Sequence, residues 1–353
     1  MSTSTIPTAT VHRERGWHSW PLIKSLRQSI GLQRGMLIAG LVLVAAFCLV
    51  ALFAPILAPY SYNTLSGPDG DLGSLQPPSA EHLFGTTIAG YDVLSRVIWG
   101  ARTAFLVIAI AVISSIFAGT FLGLLSGYVG GWLDRIFVML ADAIYAFPSL
   151  LLAFVMSIVS SGGQSSLWGG IWAASLSITV VFIPQYFRVV RSEVIRVKSE
   201  AFVESARVIG ASHTRIMFRH IMRNSTRSLP LVFTLNASEA ILTLAGLGFL
   251  GFGIEPNSAA EWGYDLNKAI ADVTNGVWWT SLWPGLAIVL VVMGLTLTGE
   301  SLNDLADPRL RSRRRAKVGT GTVSDNAIGA TGAAAGVGAE TATPPATNDG
   351  GAQ

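Results

Sequence analysis

Residues 103–133 read TAFLVIAIAVISSIFAGTFLGLLSGYVGGWL, without one Asp, Glu, Lys or Arg. A helix rises about 1.5 Å per residue, so about 20 apolar residues cross the hydrocarbon layer, where every backbone polar group has to be satisfied internally. The run is long enough to cross with residues to spare. The whole chain agrees with that reading: of 353 residues 51% are hydrophobic and only 13% charged, against about a quarter charged in ordinary soluble domains. Its mean hydropathy is +0.52.

The same test applied outward finds six spans. MLIAGLVLVAAFCLVALFAPILA (36–58) is the first and the opening run the second. The uncharged stretch from Ala143 to Phe187 is too long for one crossing, and SSGGQSS at 160–166 splits it into two. Residues 229–251, interrupted only by Glu239, form the fifth, and WWTSLWPGLAIVLVVMGLTLTG (278–299) the sixth. The first run exceeds the roughly 7 to 15 residues of a signal-peptide core and follows a long lead, so it reads as a retained anchor. The fold class expected is therefore an all-α membrane protein of six transmembrane helices.

Even span number puts both termini on one side. That side holds 21 of the 24 Lys and Arg residues; only Arg96, Arg102 and Lys268 fall on the other. The positive-inside rule then makes the termini cytoplasmic. The organisation expected is a cytoplasmic segment (1–35), a first anchor (36–58), an extracytoplasmic loop (59–101), a five-helix core (102–304) and a mostly disordered tail (305–353) rich in small residues. Trp262, Trp278, Trp279 and Trp283 suit a membrane interface, where an indole ring is half wet.

Familiar chemistry is missing. The four lysines follow Ile23, Val197, Asn267 and Ala316, none of them glycine, so no Walker A phosphate cradle is present. The five histidines form no HExxH, Cys48 is the only cysteine, and no GxSxG elbow occurs. No catalytic or metal site is expected. Two features inside the spans stand out. Glu239 is a carboxylate in an apolar run, either lining a polar path or neutralised within the bundle. Gly119, Gly123, Gly127 and Gly131 recur every four residues and strip one helix face of side chains, for internal packing or for a subunit or pore face.

Between spans four and five lies VESARVIGASHTRIMFRH (203–220). Phe202, Ala206 and Ile209 fall at i, i+4 and i+7, an apolar helical face. Ser212 is placed to cap a second helix whose Ile216, Met217, His220 and Ile221 share a face, with Arg215, Arg219, Arg223 and Arg227 beside them. A helix, a glycine turn at Gly210 and a second helix make a compact knob on the cytoplasmic surface. Duplex DNA would have to lie against the bilayer to reach it, so no nucleic-acid partner is expected. Anionic lipid and a docking protein are the two remaining occupants.

Here the residues carry a resemblance. Glu204-Ser205-Ala206, three residues and then Gly210 resembles the EAA-x3-G loop of ABC importer permeases. HLFGTTIAGYDVLSRVIWGARTAF (82–105), GYVGGWLDR (127–135), AFPSLLLA (146–153), FLGFGIEPNSAAEWG (249–263) and the closing DPRLR (307–311) are similar to blocks of the C-type permeases for dipeptides, oligopeptides and nickel. The resemblance implies a bacterial inner-membrane subunit that forms half of a translocation path with a second, B-type permease. It implies two cytoplasmic ATPases, which bind ATP and Mg in place of this chain, and an extracytoplasmic solute-binding protein. Glu204, Ser205, Ala206 and Gly210 would be contact and turn positions of a coupling loop at about 198–222. Peptide-like cargo is the first expectation, with nickel or another small solute as the alternative and a self-sufficient secondary transporter or channel behind them. Met222-Arg223 stands where the family has Leu-Pro, so the second loop helix is expected to run straighter and one turn longer.

Overall fold

The computed structural model describes residues 32–67, 70–161, 167–252, 254 and 258–306. Most of the expected lead, most of the 160–166 turn and nearly all of the tail lie outside the described residues. Helix α1 (Leu32–Leu52) breaks at Phe53, just ahead of Pro55, and a single turn, α2 (Ala54–Leu57), follows. Proline supplies no N–H and its ring clashes with the carbonyl four residues back, which ends α1 there.

Helix α3 (Val93–Val129) starts at Val93 rather than Thr103, taking in Arg96 and Arg102. Its start is fixed by Asp92, whose side chain accepts from the Ser95 N–H at 2.8 Å and the Ser95 hydroxyl at 2.7 Å. Such a cap satisfies donors that no helical carbonyl can reach. At 37 residues α3 is about 55 Å long, well beyond the roughly 30 Å of hydrocarbon.

The third crossing is not the single helix expected from Ala143. It is a pair, α4 (Gly131–Tyr145) and α5 (Ser149–Ser161), bent by 97° at the break. Pro148 sits in that break, and the residue before a proline is steered away from helical backbone. Then come α6 (Leu167–Lys198), the short loop elements α7 (Ala201–Val208), α8 (His213–Arg215), a π-helical turn (Ile216–Ile221) and α9 (Met222–Ser225), and finally α10 (Leu229–Phe249), α11 (Trp262–Thr274) and α12 (Trp279–Ala306). Five of these helices are long and apolar enough to cross a bilayer, and the bent pair, counted as one span, brings the number to six.

Helices α3 and α6 pack along their lengths, and three glycines explain how closely. A Cβ at Gly119 would come within 2.5 Å of the Tyr186 Cβ, one at Gly123 within 2.7 Å of the Phe187 carbonyl oxygen, and one at Gly127 within 2.8 Å of a Val194 methyl. Only a bare backbone fits there. Gly131 departs from that row. It opens α4 with φ +68° directly after Gly130 at φ +71°, and a Cβ on it would meet nothing within 4 Å. Its use is the turn itself, since left-handed backbone is cheap only for glycine.

Candidate functional site

The hairpin between α6 and α10 is built around one left-handed residue. Gly210 has φ +79°; its N–H donates to the Arg207 carbonyl at 3.0 Å, and the Ala211 N–H donates to the Ala206 carbonyl at 3.0 Å. Those two bonds are a Schellman closure, which stops α7 sharply and reverses the chain. The Ser212 hydroxyl accepts from the Arg215 N–H and so caps α8.

The apolar face of α7 is not the one the periodicity indicates. Val203 and Ala206 are buried, whereas Phe202 is exposed and Ile209 is 82% exposed, next to Val208 at 86%. The reason is the early stop. Val208 and Ile209 stand at the very end of α7, where the chain is already turning away from its seat. The seat is an apolar plug in which Val203, Ala206, Ile216 and Ile221 meet Leu124 of α3 and Val190, Val194 and Val197 of α6. Two polar links add to it: Lys198 Nζ donates to the Tyr128 carbonyl at 2.6 Å, and the Tyr128 hydroxyl meets His213 Nδ1 at 2.8 Å.

Glu204 is exposed and has no side-chain partner among the described residues, while the Ser205 hydroxyl bonds back to the Ala201 carbonyl at 3.0 Å. The second half of the hairpin continues through Arg223 to Ser225, but it is not straight: six residues, Ile216–Ile221, take the wider π turn. The side chains of Arg215, Arg219 and Arg223 are exposed and make no ion pair among the described residues, and Arg227 bonds only the Asn224 amide, at 2.7 Å.

Glu239 lies on the outer side of α10, exposed on this chain, with no side-chain partner among the described residues. Asp134 of α4, by contrast, is gripped by Arg191 of α6 at 2.6 and 2.7 Å, which pins the bent pair to the long helices.

The far end of the bundle is made differently. Arg96, only 2% exposed, lies beside Asp265 of α11 at 2.6 Å and also donates to the Tyr62 carbonyl at 3.0 Å. Burial pushes the Asp265 carboxyl up, against the pull of that guanidinium. The buried His82 meets the capping Asp92 at 3.0 Å. Glu261 caps α11 by accepting from the Gly263 and Tyr264 N–H groups at 2.8 and 2.7 Å. Burial outweighs those bonds and lifts the Glu261 pKa to about 8. Trp262, expected at the membrane interface, is instead buried against Phe47, its indole N–H donating to the Val97 carbonyl at 3.0 Å. Sequence reading missed the Arg96–Asp265 pair, although Asp92-x-x-Ser95 is a recognisable helix start that brings Arg96 into the helix.

A family model described as binding-protein-dependent transport system inner membrane component matches residues 119–312, more than half of the chain. The chain belongs to this permease family. The permease also matches, over residues 33–78, the N-terminal transmembrane domain of oligopeptide transport permease C. It is 38% identical over 276 residues to the dipeptide transport system permease protein DppC of Alkalihalophilus pseudofirmus, covering 78% of this chain and 86% of the relative. It is 33% identical over 287 residues to the glutathione transport system permease protein GsiD of Pectobacterium atrosepticum, covering 81% and 89%. Against the GsiD of Escherichia coli O157:H7 the identity is 35% over 276 residues, covering 78% and 87%. The permease is thus a membrane subunit of an ABC transporter, whose family implies an ATPase and a binding protein as partners.

Proposed function

We propose that this chain forms half of the import path for peptides or similar small solutes, and that it takes its energy through the hairpin at 198–222. A second, B-type permease supplies the other half, two cytoplasmic ATPases bind ATP and Mg, and a solute-binding protein delivers cargo from outside. The chain itself carries no ATP site and is not an enzyme. Both termini are cytoplasmic, in the bacterial inner membrane. Peptide cargo is supported by the dipeptide and glutathione relatives, which favour it over nickel or a secondary transporter.

One observation carries the reading. The hairpin presents Glu204, Val208 and Ile209 outward with none of the described residues covering them, while its other face is plugged into α3 and α6. Apolar tips beside an unpaired carboxylate suit a groove in another protein, and a firm seat lets movement of that protein shift the long helices as a body. Glu204, Ser205, Ala206 and Gly210 act as contact and turn positions. Glu239, on the outer side of α10, faces the second permease or the path between the two, because a bare carboxylate against lipid is costly. The glycine row at 119, 123 and 127 serves internal packing.

The test is copurification of the ATPases with the Gly210→Trp and Glu204→Arg variants, alongside peptide uptake. Both variants should insert normally and lose both activities. ATPase binding at the wild-type level by both would refute the docking.

A further inference from the structure

At the end of the bundle away from the hairpin, the 87–91 loop, Arg96 of α3, α11 and the first turn of α12 line a partly open cavity of 270 Å³. Its walls are mostly apolar, with two features that their own surroundings leave unanswered. Asp272, 2% exposed, lines it, and its carboxylate, whose oxygens are not sealed from the cavity, makes no hydrogen bond or ion pair among the described residues. Thr280, 3% exposed, keeps its hydroxyl oxygen buried without a partner. A buried polar group without a partner, such as the Thr280 hydroxyl, is costly. Both groups line the same cavity, so whatever satisfies them sits inside it.

The cations nearby are already used. Arg96 is held by Asp265 and lies over the Tyr91 ring at 4.9 Å. Lys268, one helical turn before Asp272, is exposed, stands 5.2 Å over the Tyr264 ring and makes no ion pair with Asp272. Among the described residues no group of three His, Cys, Asp or Glu side chains is arranged to hold a metal ion. A singly charged guest with several N–H donors fits better. It can donate to the Asp272 carboxylate and the Thr280 oxygen while resting against Tyr264, a ring that already attracts a cation.

We propose that this cavity is a binding site for a primary ammonium group, with Asp272 as its counter-ion and Thr280 as its second acceptor. The site stands on its geometry. Only the source of the ammonium rests on the permease reading, either the free amine of a peptide-like cargo or a lysine side chain of a docking protein.

The experiment is calorimetric titration of the purified full-length chain in nanodiscs with n-butylammonium, and with 1-butanol as the neutral shape match. Wild type should bind the ammonium and not the alcohol. Asp272→Asn, which keeps the shape, should weaken it at least tenfold, and Thr280→Val by a smaller factor. Dialanine, N-acetyl-dialanine and Nα-acetyl-lysine amide then separate the sources. Tighter binding of dialanine, lost on acetylation, assigns a cargo amine, and tighter binding of the lysine amide assigns a docking side chain. Equal binding of butanol and butylammonium, or an unchanged affinity in Asp272→Asn, overturns the site. The titration needs neither ATPase nor uptake, so that failure leaves the permease reading standing.

Discussion

The two ends of this bundle handle polar groups in opposite ways. At the hairpin end, Glu204, Arg215, Arg219 and Arg223 have no side-chain partner among the described residues, and apolar Val208 and Ile209 stand in the open. At the other end, Arg96, Asp265, Asp92, His82 and Glu261 are buried and bonded to one another or to backbone. The difference separates two kinds of site. A surface meant for another subunit keeps its valences free. An end that has to hold its own loops in place uses most of them internally, with Asp272 and the Thr280 hydroxyl left over beside the cavity.

Breaking the closed end should do the most damage to the fold. Asp265→Ala leaves Arg96 buried without its counter-ion and is expected to lower stability by about 3–5 kcal/mol, read from denaturant unfolding in detergent. Replacing both partners with apolar residues should restore most of that loss. A loss near zero in the single variant would mean that solvent reaches Arg96.

Glu261 sharpens the contrast through pH. Its folded pKa of about 8 lies above the ordinary 4.5, so between those values the folded chain holds a proton that the unfolded chain has released. Stability contributed by this group is therefore complete below pH 4.5 and declines as pH rises toward about 8. Glu261→Gln should flatten the melting temperature across that window relative to wild type. Parallel curves for the two proteins would show that Glu261 is ionised in the fold.

The smallest effect belongs to the open end. Arg223→Ala removes an exposed side chain with no ion pair and should change stability by no more than about 0.5 kcal/mol, checked by the same unfolding measurement. A larger loss would mean that the arginine row supports the hairpin after all.

The number of crossings and the glycine-turned hairpin were legible in the sequence, because apolar length and a helix-glycine-helix pattern are local signals. What escaped depended on pairing across the fold. Arg96 counted as a loop charge since hydropathy sees the charge and not the carboxylate of Asp265, distant in sequence. Trp262 was given to the interface on residue type alone, though its N–H has a partner inside. In α7 the i, i+4, i+7 periodicity indicated Phe202, Ala206 and Ile209, but the seat is Val203 with Ala206, and the stop at Gly210 leaves Ile209 beyond it. Gly131 fitted the every-fourth rule by number, while its backbone angle assigns it to a turn.

The bare glycine contact between α3 and α6 also has a mechanical meaning. Side chains act as compliant spacers between helices, and at Gly119, Gly123 and Gly127 α3 contributes none, so its backbone rests directly on α6. The two helices behave as one stiff beam about 55 Å long, so a tilt of about 5° applied beneath the hairpin carries the opposite end about 5 Å. That stroke is comparable to one helical turn, enough to pass a local disturbance at one membrane surface to the other without bending anything between them.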